Sequence, residues 1–197
     1  MSEAPSKYRT WLLLLVGAGL VVAGLFAYEF FYRYPIWTLH AFVIPSSSVC
    51  PTVCKGERIL VEMRGEEPYV PKRDDVVVFE HGPDQLNYIK RVIGIPGDIV
   101  APGSGNTILV NGSPWQPPPG CGKSLLSVEK VGDNAAPVDF KEIRVPPGQI
   151  FVIGDNLNNS FDSRIEHFDP VTLDKVRGRP VMIYWSSESS RFGCPIR

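Results

Sequence analysis

An uncharged run from Trp11 to Tyr28, built mainly of Leu, Val, Gly and Ala, constrains this chain more than any other stretch. As a helix it spans about 27 Å, close to the roughly 30 Å hydrocarbon thickness of a bilayer. It carries no polar stripe, so it is a poor fit to the half-wet helix of a soluble core. Phe30, Phe31, Tyr32, Tyr34 and Trp37 follow it, and such aromatics suit the headgroup region. Lys7 and Arg9 precede it and favour a cytoplasmic amino end, with Arg33 behind the run reducing the asymmetry. A cleaved leader is the competing reading. Against it, the run exceeds the usual apolar core of about 7–15 residues, and it lacks Ala-x-Ala, Val21-Val22-Ala23 being the nearest approach. The expectation is a retained single-pass anchor in an inner or cytoplasmic membrane, within residues 1–34, and an extracytoplasmic β-rich domain over residues 35–197.

The segments after the anchor read as strands and turns. The chain holds 19 prolines and 18 glycines, a content that favours short strands over long helices. Runs at 57–63, 75–79, 86–94, 98–101, 107–110, 149–153 and 181–185 are rich in β-branched and aromatic residues. Pro96-Gly97-Asp98 and Asn111-Gly112 are tight-turn signals between them. Residues 64–75 and 113–123 read as loops, and 124–145 show no clear pattern. An all-β domain of short antiparallel strands is the expected fold.

Charge and cysteine usage narrow the partners. A formal net charge of −1 gives no basic field for nucleic acid. His40, His81 and His167 are far apart and fit no metal-ligand spacing, so no metal and no cofactor is expected. An extracytoplasmic domain can keep disulfides. Cys50, Cys54, Cys121 and Cys194 allow three complete pairings. Cys121 with Cys194 is preferred, and Cys50 with Cys54 reads as a local pair or as two small core residues.

Three segments carry candidate chemistry. Pro45-Ser46-Ser47-Ser48-Val49-Cys50-Pro51-Thr52 holds three hydroxyls between two prolines, which restrict the backbone on either side. A serine there is a nucleophile only if another group takes its proton; otherwise the stretch is a Ser-rich turn. Lys90 lies in the strand-forming run Tyr88-Ile89-Lys90-Arg91-Val92-Ile93. Alternation puts Tyr88, Lys90 and Val92 on one face; if that face is packed, the amine loses water and its pKa falls. If Ile89, Arg91 and Ile93 face inward instead, Lys90 is simply solvated. The third segment runs from Gly154-Asp155-Asn156 to Ser160-Phe161-Asp162-Ser163-Arg164, and Asp162 can pair with Arg164 or with Arg91. A calcium loop with Asp155 first and Glu166 twelfth is broken by Leu157 at position three and by Ser160 where glycine belongs.

In that order, behind an anchor, the three segments resemble the type I signal peptidase family, the membrane-bound Ser–Lys proteases. The resemblance implies Ser48 as nucleophile and Lys90 as general base. It implies Ser46 and the Ser48 backbone N–H as oxyanion donors, and Ser160 as the hydroxyl orienting Lys90. Asp162 would brace the site with Arg91 and Arg164. The implied partners are membrane lipid and precursor signal peptides with small residues at −1 and −3, cleaved near the bilayer surface. Ser47 departs from the family's usual glycine, and Val49-Cys50 from a common methionine. These departures motivate one alternative, a dedicated protease for a pilin or transfer-system precursor; a second, from another class, is an inactive anchored β-domain acting as an assembly or binding module.

Overall fold

The apolar run folds as a helix and the alternating runs fold as strands in the computed structural model, which describes residues 7–33, 38–64, 69–105, 107–118, 121, 140–168 and 170–197. Two compact units divide the chain, Met1–Trp37 and Thr38–Arg197. In the first, helix α1 (Lys7–Arg33) contains an apolar span, Trp11–Glu29, with mean hydropathy 2.2. Trp11, Leu15, Leu20 and Phe26 are all exposed on it. The helix is thus apolar around its circumference, and it is long enough to cross a membrane.

The second unit contains β1 (Leu39–Val43), β2 (Arg58–Met63), β3 (Val76–His81), β4 (Leu86–Gly94), β5 (Ile99–Pro102), β6 (Ile108–Val110), β7 (Ser113–Pro114), β8 (Ile143–Arg144), β9 (Gln149–Ile153), β10 (Val171–Thr172) and β11 (Val176–Trp185). One sheet has the order β1-β2-β11-β3-β4-β9-β10, and a smaller one has the order β7-β6-β5-β8. Every pairing within them is antiparallel. The expected all-β architecture with one apolar helix is therefore what this chain forms.

Strand β3 explains how the larger sheet is packed. Val76 and Val78 join a core with Ile44, Val49, Ile59, Val61 and Ile183, while Val77 and Phe79 join another with Val92, Val152, Phe168 and Val176. Both faces of β3 are covered, so the run Val76-Val77-Val78-Phe79 reads as continuously apolar rather than alternating. A third core, including Ile93, Val100, Ile108, Phe151 and Ile153, lies where β4 and β9 meet the smaller sheet.

Several boundaries differ from the sequence reading. β11 begins at Val176, five residues before the expected run, because Arg177, Gly178, Arg179 and Pro180 mask a strand whose arginines pair with Glu80 and Glu62. β7, β8 and β10 are two-residue strands, too short to leave a periodic signal. The expected loops include residues 65–68, 119–120 and 122–123, and the patternless stretch includes 124–139; these lie outside the described residues.

Both local and distal disulfides form, Cys50–Cys54 and Cys121–Cys194. The second joins residues 73 apart in sequence and ties down the C-terminal segment, where Arg191, Cys194 and Ile196 are buried. A Cys121→Ser/Cys194→Ser variant should lose about 2–4 kcal/mol, read as a lower urea midpoint against the parent chain.

Candidate active site

Lys90 and Ser48 meet in a buried contact. Nζ of Lys90 donates to Oγ of Ser48 at 2.8 Å, and the two residues are 3% and 7% exposed. Lys90 reaches this position because β4 pairs with β3 in a register that sets it opposite Val77. Its face of the strand is that of Tyr88, Val92 and the Phe79 core. Burial there lowers the lysine to about 8, opposed by the nearby Asp162 carboxylate and reinforced by the charge of Arg164. The two faces offered by alternation are not exclusive: Arg91, on the opposite face, is also fully buried.

Ser48 is delivered by a turn closed on itself and fastened at both ends. Ile44 N–H donates to Glu57 O and Gly56 N–H to Ile44 O, while Cys50 N–H and Val53 N–H bond back to Ser47 O and Val49 O. Val49 and Val53 anchor the turn in the first core, and the Cys50–Cys54 bridge closes it covalently. Oγ of Ser46 lies 3.2 Å from Oγ of Ser48. The backbone of Ser47 lies outside the left-handed region, so a side chain there meets no φ penalty.

The third segment holds the turn from the other side. Asn156 N–H donates to Ser48 O at 3.1 Å, and Nδ2 of Asn156 donates to Ser47 O at 3.3 Å. Gly154 packs so closely that a Cβ there would overlap the Ser48 carbonyl oxygen and the Ser160 side chain. Asp162, fully buried, accepts from Gly154 N–H and from Nε and Nη2 of Arg164. Oγ of Ser160 is buried and has no hydrogen-bond partner among the described residues.

Arg91 does not join Asp162. Its guanidinium makes two bonds to Asp155, Nε to Oδ1 and Nη2 to Oδ2, each at 2.7 Å. Nη2 also donates to Oγ1 of Thr52, which in turn donates to Asp155. The reason is geometric: adjacent strand residues point to opposite faces, so Arg91 leaves Asp162 to Arg164. Asp155 is thereby committed to an arginine and a hydroxyl, the opposite of an open calcium position. Among the described residues no group of three or more His, Cys, Asp or Glu side chains could hold a metal ion.

Four supporting residues escaped the sequence reading. Thr52 and Asp155 were visible as polar residues beside the candidate serine and after a glycine, yet nothing local assigned them to Arg91. Glu57 and Arg191 form a buried ion pair at 2.6 Å, and Arg191 also donates to Thr52 O. With the partners 134 positions apart in sequence, no local spacing could have joined them.

A cavity of about 500 Å³ opens beside Ser48 and Lys90, with Ser46, Leu86, Tyr88 and Phe161 among its walls. Along β4, Leu86 to Lys90 is paired by β3, while β9 takes up the other edge only from Arg91 onward. The arrangement couples a buried amine to a hydroxyl next to an open strand edge, a geometry suited to acyl chemistry on an extended peptide.

Comparison with known proteins agrees. The profile of the family described as signal peptidase, peptidase S26, matches residues 9–185. Signal peptidase I T of Bacillus subtilis is 32% identical over 190 residues, covering 96% of this chain and 94% of that protein. Signal peptidase I of Bacillus caldolyticus is 34% identical over 155 residues, covering 77% and 82%. A crystal structure of a signal peptidase I from Enterococcus faecalis is similar over 57% of this chain and 98% of that one, at 26% identity and a TM-score of 0.44. With a family profile spanning anchor and β-domain alike, this chain belongs to the signal peptidase family, peptidase S26.

Proposed function

We propose that the chain is a membrane-anchored endopeptidase that removes N-terminal signal peptides from exported precursors, with Ser48 as nucleophile and neutral Lys90 as its base. The observation that carries this reading is the 2.8 Å contact between Nζ of Lys90 and Oγ of Ser48 in a buried site. A lysine at its ordinary value near 10.5 is neutral in about one molecule per several thousand at pH 7. At about 8, roughly one in ten is neutral, enough to support turnover.

In the first step Oγ of Ser48 attacks the scissile carbonyl carbon while Nζ of Lys90 takes the hydroxyl proton. The oxyanion is held by the Ser46 hydroxyl and the Ser48 backbone N–H; one such donor is worth about 100–1,000-fold in rate. Lys90 then returns the proton to the departing amine, leaving an ester on Ser48. Water, deprotonated by the same amine, hydrolyses that ester and frees the serine. Ser160 is assigned the orienting role on the burial of its Oγ beside Gly154 and on that hydroxyl having no partner among the described residues. Asp162 keeps the Lys90 pKa from falling further, and Arg164 neutralises Asp162 in turn.

The open edge of β4 supports an extended substrate lying beside Leu86–Lys90. In that pose alternate side chains, at −1 and −3, enter the cavity, and small ones fit next to Ser48. The anchor holds the enzyme in the membrane that its precursors enter. Basic residues before the apolar span favour a cytoplasmic amino end and an extracytoplasmic β-domain.

Three outcomes are expected. Ser48→Ala and Lys90→Ala should each lower kcat/KM on a detergent-solubilised precursor by about 1,000-fold or more, with thermal unfolding showing an intact domain. For the parent, kcat/KM should climb about tenfold per pH unit below 8 and level off above it. Replacing the amine should also alter stability with a defined sign. The folded-state pKa lies below the unfolded one, so burial of Lys90 is destabilising in full below pH 8, and that penalty fades as pH rises toward 10.5. Lys90→Met should therefore be more stable than the parent by about 1–3 kcal/mol at pH 6, with the difference vanishing by about pH 10.5 in paired urea titrations.

A further inference from the structure

The cavity beside Ser48 and Lys90, about 500 Å³, is many times the volume of an alanine methyl. Its outer end is apolar. Leu86 and Phe161 both line it and remain 59% and 46% exposed. Large apolar side chains left in water at the mouth of a site gain free energy when a partner covers them.

Phe161 is not a loose surface ring. Its centroid lies 5.2 Å from that of Phe168 and 6.1 Å from that of His81, both edge-on. His81 is stacked on Phe168 at 4.0 Å and stands edge-on to Tyr88 at 5.0 Å. His81 and Phe168 are buried, so a rigid aromatic cluster backs the exposed face of Phe161. The surface is in place before any ligand arrives, which reduces the ordering cost of binding.

Strand geometry sets the spacing along this surface. Leu86, Tyr88 and Lys90 share one face of β4, with the first four positions before the last. At about 3.3 Å per residue the distance is roughly 13 Å. A substrate strand lying parallel to β4, with its −1 residue at Lys90, sets −3 at Tyr88 and −5 at Leu86. A signal peptide is apolar upstream of its cleavage site, which matches an apolar wall on that side.

We propose that Leu86 and Phe161 form an apolar subsite that selects a bulky apolar side chain at −5 of the substrate. This inference rests on the protease reading given above. It is tested with the full chain in detergent and fluorogenic peptides bearing alanine at −1 and −3. Leucine, alanine or aspartate is placed at −5 in one series, and at −4, which faces the other way, in a second. The parent should prefer leucine over aspartate at −5 by about tenfold or more in kcat/KM, with a ratio near 1 at −4. In Leu86→Ser/Phe161→Ser the −5 ratio should fall toward 1, while Phe161→Leu should retain most of it. Cleavage with equal kcat/KM across the −5 series, a ratio unchanged in the double variant, or a preference at −4 instead overturns the subsite and leaves the protease reading standing. Failure to cleave any of the peptides overturns both.

Discussion

A lysine amine inside a β-sheet is an expensive thing to hold, and the architecture around Lys90 follows from holding it. An ammonium in an apolar core costs several kcal/mol unless it is paired or neutral. Here it is given a hydroxyl at 2.8 Å and a carboxylate close enough to act through space, but no ion-pair partner among the described residues. That intermediate treatment leaves it at about 8. A direct Asp contact would return it to a fully charged state at neutral pH. Complete isolation would lower it further and weaken its basicity. Asp162 sits between these limits because its oxygens are already occupied by Arg164 and the Gly154 N–H.

The same economy governs the two loops that meet at the amine. Neither the Ser48 turn nor the 154–164 segment is a strand, so neither has a ladder to fix it. Buried charge pairs take over that task. Arg91 with Asp155, and Arg191 with Glu57, each fasten the Ser48 turn through Thr52, one by its hydroxyl and the other by its carbonyl. Such pairs add little net stability over an apolar filling, yet removing one partner leaves a buried charge and costs about 3–5 kcal/mol. Their effect is on geometry: they permit one arrangement of the turn and penalise others.

The parts legible in the sequence were those whose signal is local. The anchor showed in a continuous apolar run, and β3, β4 and β9 in dense β-branched stretches. The three candidate segments stood out through framing by prolines, by strand residues and by hydrogen-bonding side chains, while the choice of Ser48 and Ser160 within them came from the resemblance to the family. What stayed hidden was non-local. No spacing tells that Arg91 takes Asp155 rather than Asp162, because the choice depends on which face of β4 each loop covers. β11 was shortened because its first half carries Arg177, Gly178, Arg179 and Pro180, residues that read as a turn until Glu80 and Glu62 are placed beside them.

The serine at 47 shows how these constraints combine. A glycine is needed where φ is positive or where a neighbour leaves no room for Cβ, and the backbone at 47 meets neither condition through its φ. Its carbonyl is held by Cys50 N–H and by Nδ2 of Asn156, bonds that any residue type can accept. A close approach does occur across the interface, at Gly154, where a side chain would strike the Ser48 carbonyl. Intolerance to a side chain is thus a property of the packed pair of loops, and it is met on the 154 side. The Ser48 turn accommodates a side chain at 47 while Ser48 stays within reach of the amine.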